Sequence, residues 1–260
     1  MSKNTSSSGQ GVIRYEGDRI IKEFFSATDY EQEKYFLKLL HDIPSAPLPT
    51  VLSTDDEGRS ITMRNAGRTL DELDWRQDRH MWAKRIAQSM NPVWSSLVNI
   101  PTAYRKNKDE SYQYIADFLH DGYFSELSKV GVEPQLVADA QLWLRQSVQR
   151  VRKEAKGQSA IIHFDLSPRN VVFHANRLTV IDWSRAVLSE RIIELGIMRE
   201  KFELVGEPAT YLADTSMENV DIVAADRIAL CFRIYRQAKQ VGHNLTLDAY
   251  NDALNLILAS

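Results

Sequence analysis

The chain of 260 residues has one cysteine, no long apolar run, no excess of positive charge and no internal repeat. Each shortage removes a class of protein. A lone Cys231 excludes an intramolecular disulfide framework and a cysteine-rich zinc cluster, and reads as a buried apolar thiol on a helix in a reducing compartment. No stretch approaches the roughly 20 apolar residues of a membrane span, and the opening MSKNTSSSGQG lacks the apolar core of a secretory signal. A cytoplasmic protein with no membrane contact is expected. The formal charge of −3 offers no footprint for a phosphate backbone, so nucleic acid is excluded as a general partner. His41, His80, His120, His174 and His243 have no metal-ligand spacing.

What is present is ample core material, with 43% of residues hydrophobic. Residues 1–11 are rich in Ser and Gly and poor in such material, so they are expected to be mobile unless Ser6 to Gly11 closes over a ligand. From Gly11, GVIRYEGDRIIKEF places two β-branched runs around Gly17-Asp18, the pattern of a hairpin. In ATDYEQEKYFLKLLHDI, residues Tyr30, Glu33, Phe36, Leu37 and Leu40 fall at helical spacing, with Thr28 or Asp29 as N-cap. PSAPLPTVLS then reads as a proline-punctuated linker into a strand, and SITMR as another strand. After Asn65 the composition turns helical over residues 70 to 100, 110 to 130 and 133 to 156, and three more helical segments reach the C-terminus. The Arg150, Arg152, Lys153 and Lys156 cluster suits a helix C-terminus and a solvated face. The expected class is α+β: a β-rich lobe over 12–64, a connector at 65–69 and a larger α-rich lobe over 70–260.

Between short apolar runs stands IIHFDLSPRNVVFHANRLTVIDW, residues 161 to 183. His163 and Asp165 precede Asn170 by seven and five residues, and Pro168 stiffens the loop between them. A turn at His174 to Asn176 reverses the chain, and LTVID presents Asp182 at the end of the next strand. Phosphoryl transfer requires a carboxylate for the attacking hydroxyl, oxygen ligands for Mg²⁺ and a cation on the nucleotide phosphates. Asp165, Asn170 and Asp182 supply the first two requirements; His163 reads as the hydrogen-bonding residue that holds the loop.

These residues resemble the protein-kinase-like phosphotransferases. HFDLSPRN is similar to their HxDxxxxN catalytic loop, and IDW to the metal-binding motif that reads DFG in protein kinases. The aminoglycoside phosphotransferase and choline kinase group is the nearer resemblance, because it has an aromatic residue after the metal aspartate and lacks the catalytic-loop lysine, here Ser167. After the motif the chain departs from the group: Ser189-Glu190-Arg191 and Glu194-Leu195-Gly196 stand where Gly-Asp-Pro and Asp-Leu-Ala are usual.

The resemblance implies a bilobal kinase-like fold with ATP and Mg²⁺ as cofactors. It makes Lys22 in RIIKEF the phosphate-binding lysine, Glu33 its partner, Met63 to Asn65 the adenine-facing backbone, and Asn170 and Asp182 the metal ligands. Asp165 becomes the catalytic base. In place of GxGxxG the chain has only SSSGQG, where Gly9 and Gly11 are the candidates for phosphate approach. The expected reaction moves the γ-phosphoryl group of ATP to a hydroxyl of a small molecule of the aminoglycoside or choline type. Residues 186 to 226 carry nine acidic against three basic residues, which suits a cationic acceptor and equally a solvated acidic face. A Ser/Thr protein kinase and a silent nucleotide-binding module stay open as alternatives, and the sequence does not specify the oligomeric state or the choice of ATP over GTP.

Overall fold

A computed structural model describes residues 4–8, 11–96, 99–105, 112, 131–154, 158–217, 220–240 and 247–258. The chain divides into two compact units, one made of Met1–Arg105, Ala160–Leu188 and Ala209–Glu218, the other of Lys106–Ser159, Ser189–Pro208 and Asn219–Ser260. Every described candidate site residue named above falls in the first.

The first unit is built on a five-stranded antiparallel sheet of order β1-β2-β3-β5-β4, from β1 Asn4–Ser8, β2 Gly11–Glu16, β3 Arg19–Phe24, β4 Val51–Asp55 and β5 Ser60–Arg64. The N-terminal stretch with little core material thus supplies an edge strand, with Asn4 opposite Tyr15 and Ser8 opposite Gly11. Glu16 pairs with Arg19, so the expected hairpin closes through two residues, and Gly17 takes the positive φ of 66° that such a turn asks of its first position. The register sets Lys22 opposite Ile13 on one side and Ile61 on the other, in the middle of the sheet.

Helix α1, Ala27–His41, follows β3. Its N-cap is Ser26, two residues before Thr28 and three before Asp29: the Ser26 hydroxyl accepts from the Asp29 N–H at 3.3 Å, and Asp29 serves as the acidic residue of the first turn. Tyr30, Glu33, Phe36, Leu37 and Leu40 form the buried stripe that the spacing requires. Glu33 is the one charged member and is fully buried, which marks it as held by a partner.

The 65–69 connector ends in β6, Arg68–Thr69, which joins a second antiparallel sheet of order β6-β8-β9 with β8 Val171–His174 and β9 Arg177–Val180. The β8–β9 turn is Ala175-Asn176, both at positive φ. Residues 70 to 100 hold a 3₁₀ turn at Leu70–Glu72 and one α-helix, α2, Arg79–Trp94. The helix expected at 110 to 130 lies outside the described residues apart from Tyr112. Buried Phe36, Ile61, Leu70, Ile86 and Trp183 belong to this unit's core.

The second unit is helical: α3 Pro134–Glu154, α4 Arg191–Lys201, α5 Ile222–Gln240 and α6 Leu247–Leu258. The chain passes between the units within β7, Ser159–Ile162, and β10, Val187–Glu190. Helix α4 packs on α5 at Gly196, where an added Cβ would lie 2.5 Å from Ile228 Cγ2. Cys231 is buried, and burial pushes its thiol up to about 12, so it behaves as an inert apolar residue. Among the described residues no helix is long and apolar enough to cross a membrane.

Candidate active site

Two strands and one helix meet at Lys22. Its Nζ lies 2.6 Å from Glu33 Oε2 of α1, 2.7 Å from Asp182 Oδ1 after β9 and 4.7 Å from the centre of the Phe24 ring. Burial drives the ammonium toward neutrality, but Glu33 and Asp182 outweigh it and raise the Lys22 pKa above the ordinary lysine value. Glu33 responds in the opposite sense to its charge: burial pushes it up to about 7, with Lys22 pulling the other way. Burial also opposes the charge on Asp182, yet Lys22 and the Ser184 hydroxyl, which donates to Asp182 Oδ1 at 2.8 Å, hold its carboxyl below the usual range. One cation is therefore shared by two carboxylates.

Asp182 has φ 66° and ψ 61°, a left-handed conformation at the N-cap of the 3₁₀ turn Trp183–Arg185. An aspartate tolerates this strain better than most residues, and the surrounding contacts enforce it. Trp183 is fully buried, donates Nε1–H to Val180 O at 2.8 Å and sets its ring edge-on to His163 at 4.8 Å. Gln32 of α1 donates to Ala186 O at 2.7 Å, so the helix that carries Glu33 is also tied to the chain just after Asp182.

The loop from His163 to Asn170 is organised around Asp165. His163 Nε2 lies 2.8 Å from Ile181 O, and its Nδ1 accepts from the Asp165 N–H at 3.3 Å. A carbonyl can only accept, so the imidazole carries its proton on Nε2 and is neutral; burial lowers its pKa and favours that form. His163 thereby bolts the Asp165 loop to the strand leading to Asp182. Asn170 adds two more ties: its Nδ2 donates to Asp165 O at 2.8 Å and its backbone carbonyl accepts from Ile181 N at 2.9 Å. With its amide nitrogen fixed, Asn170 Oδ1 is the atom it offers as a ligand. Arg169 Nη2 lies 2.6 Å from Asp165 Oδ2. Partial burial disfavours its charge, and Asp165 followed by Asp182 overcomes that.

The structure therefore brings Lys22, Glu33 and Asp182 into direct contact, and Asp165 with Asn170, the two groups being joined through His163 and Ile181. The remaining described candidates take no part in these hydrogen bonds. Gly11 opens β2 with its α-carbon pressed on β3, where a Cβ would meet Glu23 O at 1.9 Å. Gly9 lies outside the described residues. Met63 is buried between β3 and β4, opposite Ile20 and Val51. Asn65 donates its N–H to Asp18 O at 2.7 Å, and its side chain accepts from the Gly67 N–H at 3.0 Å. Arg169, Ser184 and Gln32 were not among the sequence candidates. Arg169 carried a signal, four residues from Asp165 in a loop rich in turn formers; Ser184 and Gln32 carried none.

Hard oxygen donors and a buried cation fit Mg²⁺ and a nucleotide phosphate respectively. Asp182 and Asn170 Oδ1 supply the first, and Lys22, held by Glu33, supplies the second.

The α+β arrangement, an antiparallel sheet followed by helices, matches solved kinase-like folds. A choline/ethanolamine kinase family protein from Mesorhizobium loti is 12% identical, with all of this chain and 87% of that one covered and a TM-score of 0.64. The choline kinase LicA from Streptococcus pneumoniae is 16% identical over 99% of this chain and 92% of its own, with a TM-score of 0.65. The aminoglycoside phosphotransferase APH(2'')-IIa, solved with streptomycin and ATP, is 16% identical over all of this chain and 92% of its own, with a TM-score of 0.63. No curated protein matches the sequence. The profile of the phosphotransferase enzyme family matches residues 17–216, and the chain belongs to that family.

Proposed function

We propose that this phosphotransferase moves the γ-phosphoryl group of ATP, with Mg²⁺, to a hydroxyl of a small cationic molecule of the amino-sugar or choline type. The observation that carries the reading is Lys22 clamped between Glu33 and Asp182, at 2.6 and 2.7 Å, in the same compact unit as Asp165. A buried lysine with two carboxylate partners is a costly feature for a fold alone and a useful one for orienting a cation toward phosphate.

In this reading Lys22 binds the nucleotide phosphates, and Glu33 fixes the direction of its ammonium. Asp182 and Asn170 would hold Mg²⁺, which when bound neutralises phosphate charge. Asp165 accepts the acceptor hydroxyl proton, and Arg169 steers its carboxylate by occupying Oδ2. His163 keeps the Asp165 loop in register with Asp182. The chemistry is positioning and electrostatics, with no covalent intermediate on the protein. The acidic bias of residues 186 to 226, and the choline kinases and the streptomycin and kanamycin complexes among the structural neighbours, support this acceptor class.

The test is transfer of labelled γ-phosphate from Mg·ATP to a panel of amino sugars, amino alcohols and cell-extract protein, comparing the native chain with Asp165→Ala. Transfer to a cationic small molecule that the variant loses supports the reading. Label confined to protein, or transfer that survives in Asp165→Ala, overturns it.

A further inference from the structure

A cavity of about 850 Å³ lies along α1, within the first unit and away from the Asp165 loop in sequence and lining. Part of its wall is apolar, from Leu37 and Leu40 of α1, Leu48 of the linker, Val51 of β4 and Ile61 of β5. Its charged lining includes Lys34, Lys38 and Arg177 against a single carboxylate, Asp42. Lys34 is engaged by Asp56, whereas Lys38 and Arg177 are exposed and make no ion pair among the described residues. An excess of positive charge around this hollow runs against the whole chain, whose formal charge is −3. The volume is that of small-molecule pockets, roughly 300–1,000 Å³.

We propose that this cavity binds a small amphipathic anion, an apolar body that ends in a carboxylate. The apolar part of the wall takes the body, and Lys38 and Arg177 take the head. A second cavity of about 400 Å³ shares Ser45 with the first and adds Arg85, so the positive margin continues past the linker. Ser45 itself sits at φ 65°, a strained conformation for a residue with a Cβ, at the place where the two hollows meet.

The occupant would rest on both segments that position Lys22. Leu37 and Leu40 stand one and two turns along the same stripe of α1 as Glu33. Pro47 O, in the linker, accepts from Val180 N at 2.6 Å, two residues before Asp182. Filling the cavity braces α1 and the end of β9 together. The binding itself does not depend on the phosphotransfer reading.

The experiment is a fluorescence titration of the full chain with anilinonaphthalene sulfonate, followed by displacement with decanoate and, separately, decanol. Two variants accompany it: Ala46→Trp, which fills the hollow, and the exposed pair Lys38→Glu/Arg177→Glu, which reverses the charge without touching the core. Saturable one-to-one binding is expected, displaced by decanoate and not by decanol, abolished in the first variant and weakened at least tenfold in the second. Absence of saturable binding, displacement by decanol as effective as by decanoate, or an unchanged affinity in the charge-reversed pair overturns the proposal.

Discussion

Arg169 Nη2 lies 2.6 Å from Asp165 Oδ2, four residues back along the loop, and the guanidinium remains largely exposed, at 65%. The contact is too solvated to support the fold, since exposed pairs contribute about 0–1 kcal/mol. Under the proposed reaction its value lies in chemistry: it would hold Asp165 Oδ2 and leave Oδ1 for the acceptor, and would keep a cation where phosphoryl charge develops. Arg169→Ala is expected to lower kcat about 100-fold and to leave the urea midpoint nearly unchanged, with Arg169→Lys restoring part of the rate because it retains charge without the planar fork. An unchanged kcat in the alanine variant would remove Arg169 from the mechanism.

Lys22 gives the converse case, a buried group whose removal is expected to damage the fold. Lys22→Met leaves Glu33 and Asp182 facing each other without the cation, and breaking a buried pair in this way costs about 3–5 kcal/mol. Lys22→Met combined with Glu33→Met takes away the fully buried one of the two stranded carboxylates and is expected to recover part of that loss. Urea unfolding of the single and double variants measures the coupling. A double variant no more stable than the single one would mean that Glu33 and Lys22 are not energetically paired.

The legible part of the sequence was that written in short-range patterns. The α1 stripe, the β2–β3 hairpin around Gly17-Asp18 and the Asp165 to Asn170 spacing each lie within a window of one element, where periodicity and turn chemistry act directly. The β1 strand was illegible because its serines carry no hydrophobic alternation; its place comes from pairing along β2. The N-cap was misplaced because Ser26, Thr28 and Asp29 are all good caps, and the start of the burial stripe at Tyr30 selects among them. Lys22 and Glu33 were found by their place in a family pattern. The contact of Lys22 with Asp182, 160 residues away in the chain, is tertiary. The bracing by Gln32 and Ser184 has no local signature, since a single side chain donating to a distant carbonyl or carboxylate leaves no periodicity behind.

Gly196 tests the packing of the second unit. Alanine is the better helix former by about 1 kcal/mol, so an exposed glycine in α4 would gain from the change. At this position the new Cβ would lie 2.5 Å from Ile228 Cγ2 and 3.1 Å from Ala225 O, and the second of these is backbone. Overpacking of this kind costs about 1–3 kcal/mol, so Gly196→Ala is expected to lower the unfolding midpoint in urea. A stabilised single variant would show that α4 and α5 separate freely.

Stability against pH carries two opposing slopes near the site. Glu33 is raised by burial from an ordinary 4.5 to about 7, so between those values the folded chain holds a proton that the unfolded chain releases. Its contribution is complete below 4.5 and is lost as pH rises toward about 7. His163 is lowered from 6.5 by burial, so below 6.5 the unfolded chain binds a proton first and stability is lost as pH falls. Asp182, held below 3.8, is already ionised in both states across this range and adds no slope. The native chain is therefore expected to change little between pH 6.5 and 5, because one group gains what the other loses. Glu33→Gln removes the first slope and exposes the second: its unfolding free energy should fall with acidification by up to about 1.4 kcal/mol per pH unit, the slope of a single proton. Urea titrations of both chains at pH 7, 6 and 5 decide it. A Glu33→Gln chain as flat as the native one would mean that His163 is not held neutral, and the bolt between the Asp165 loop and Ile181 would lose its assigned tautomer.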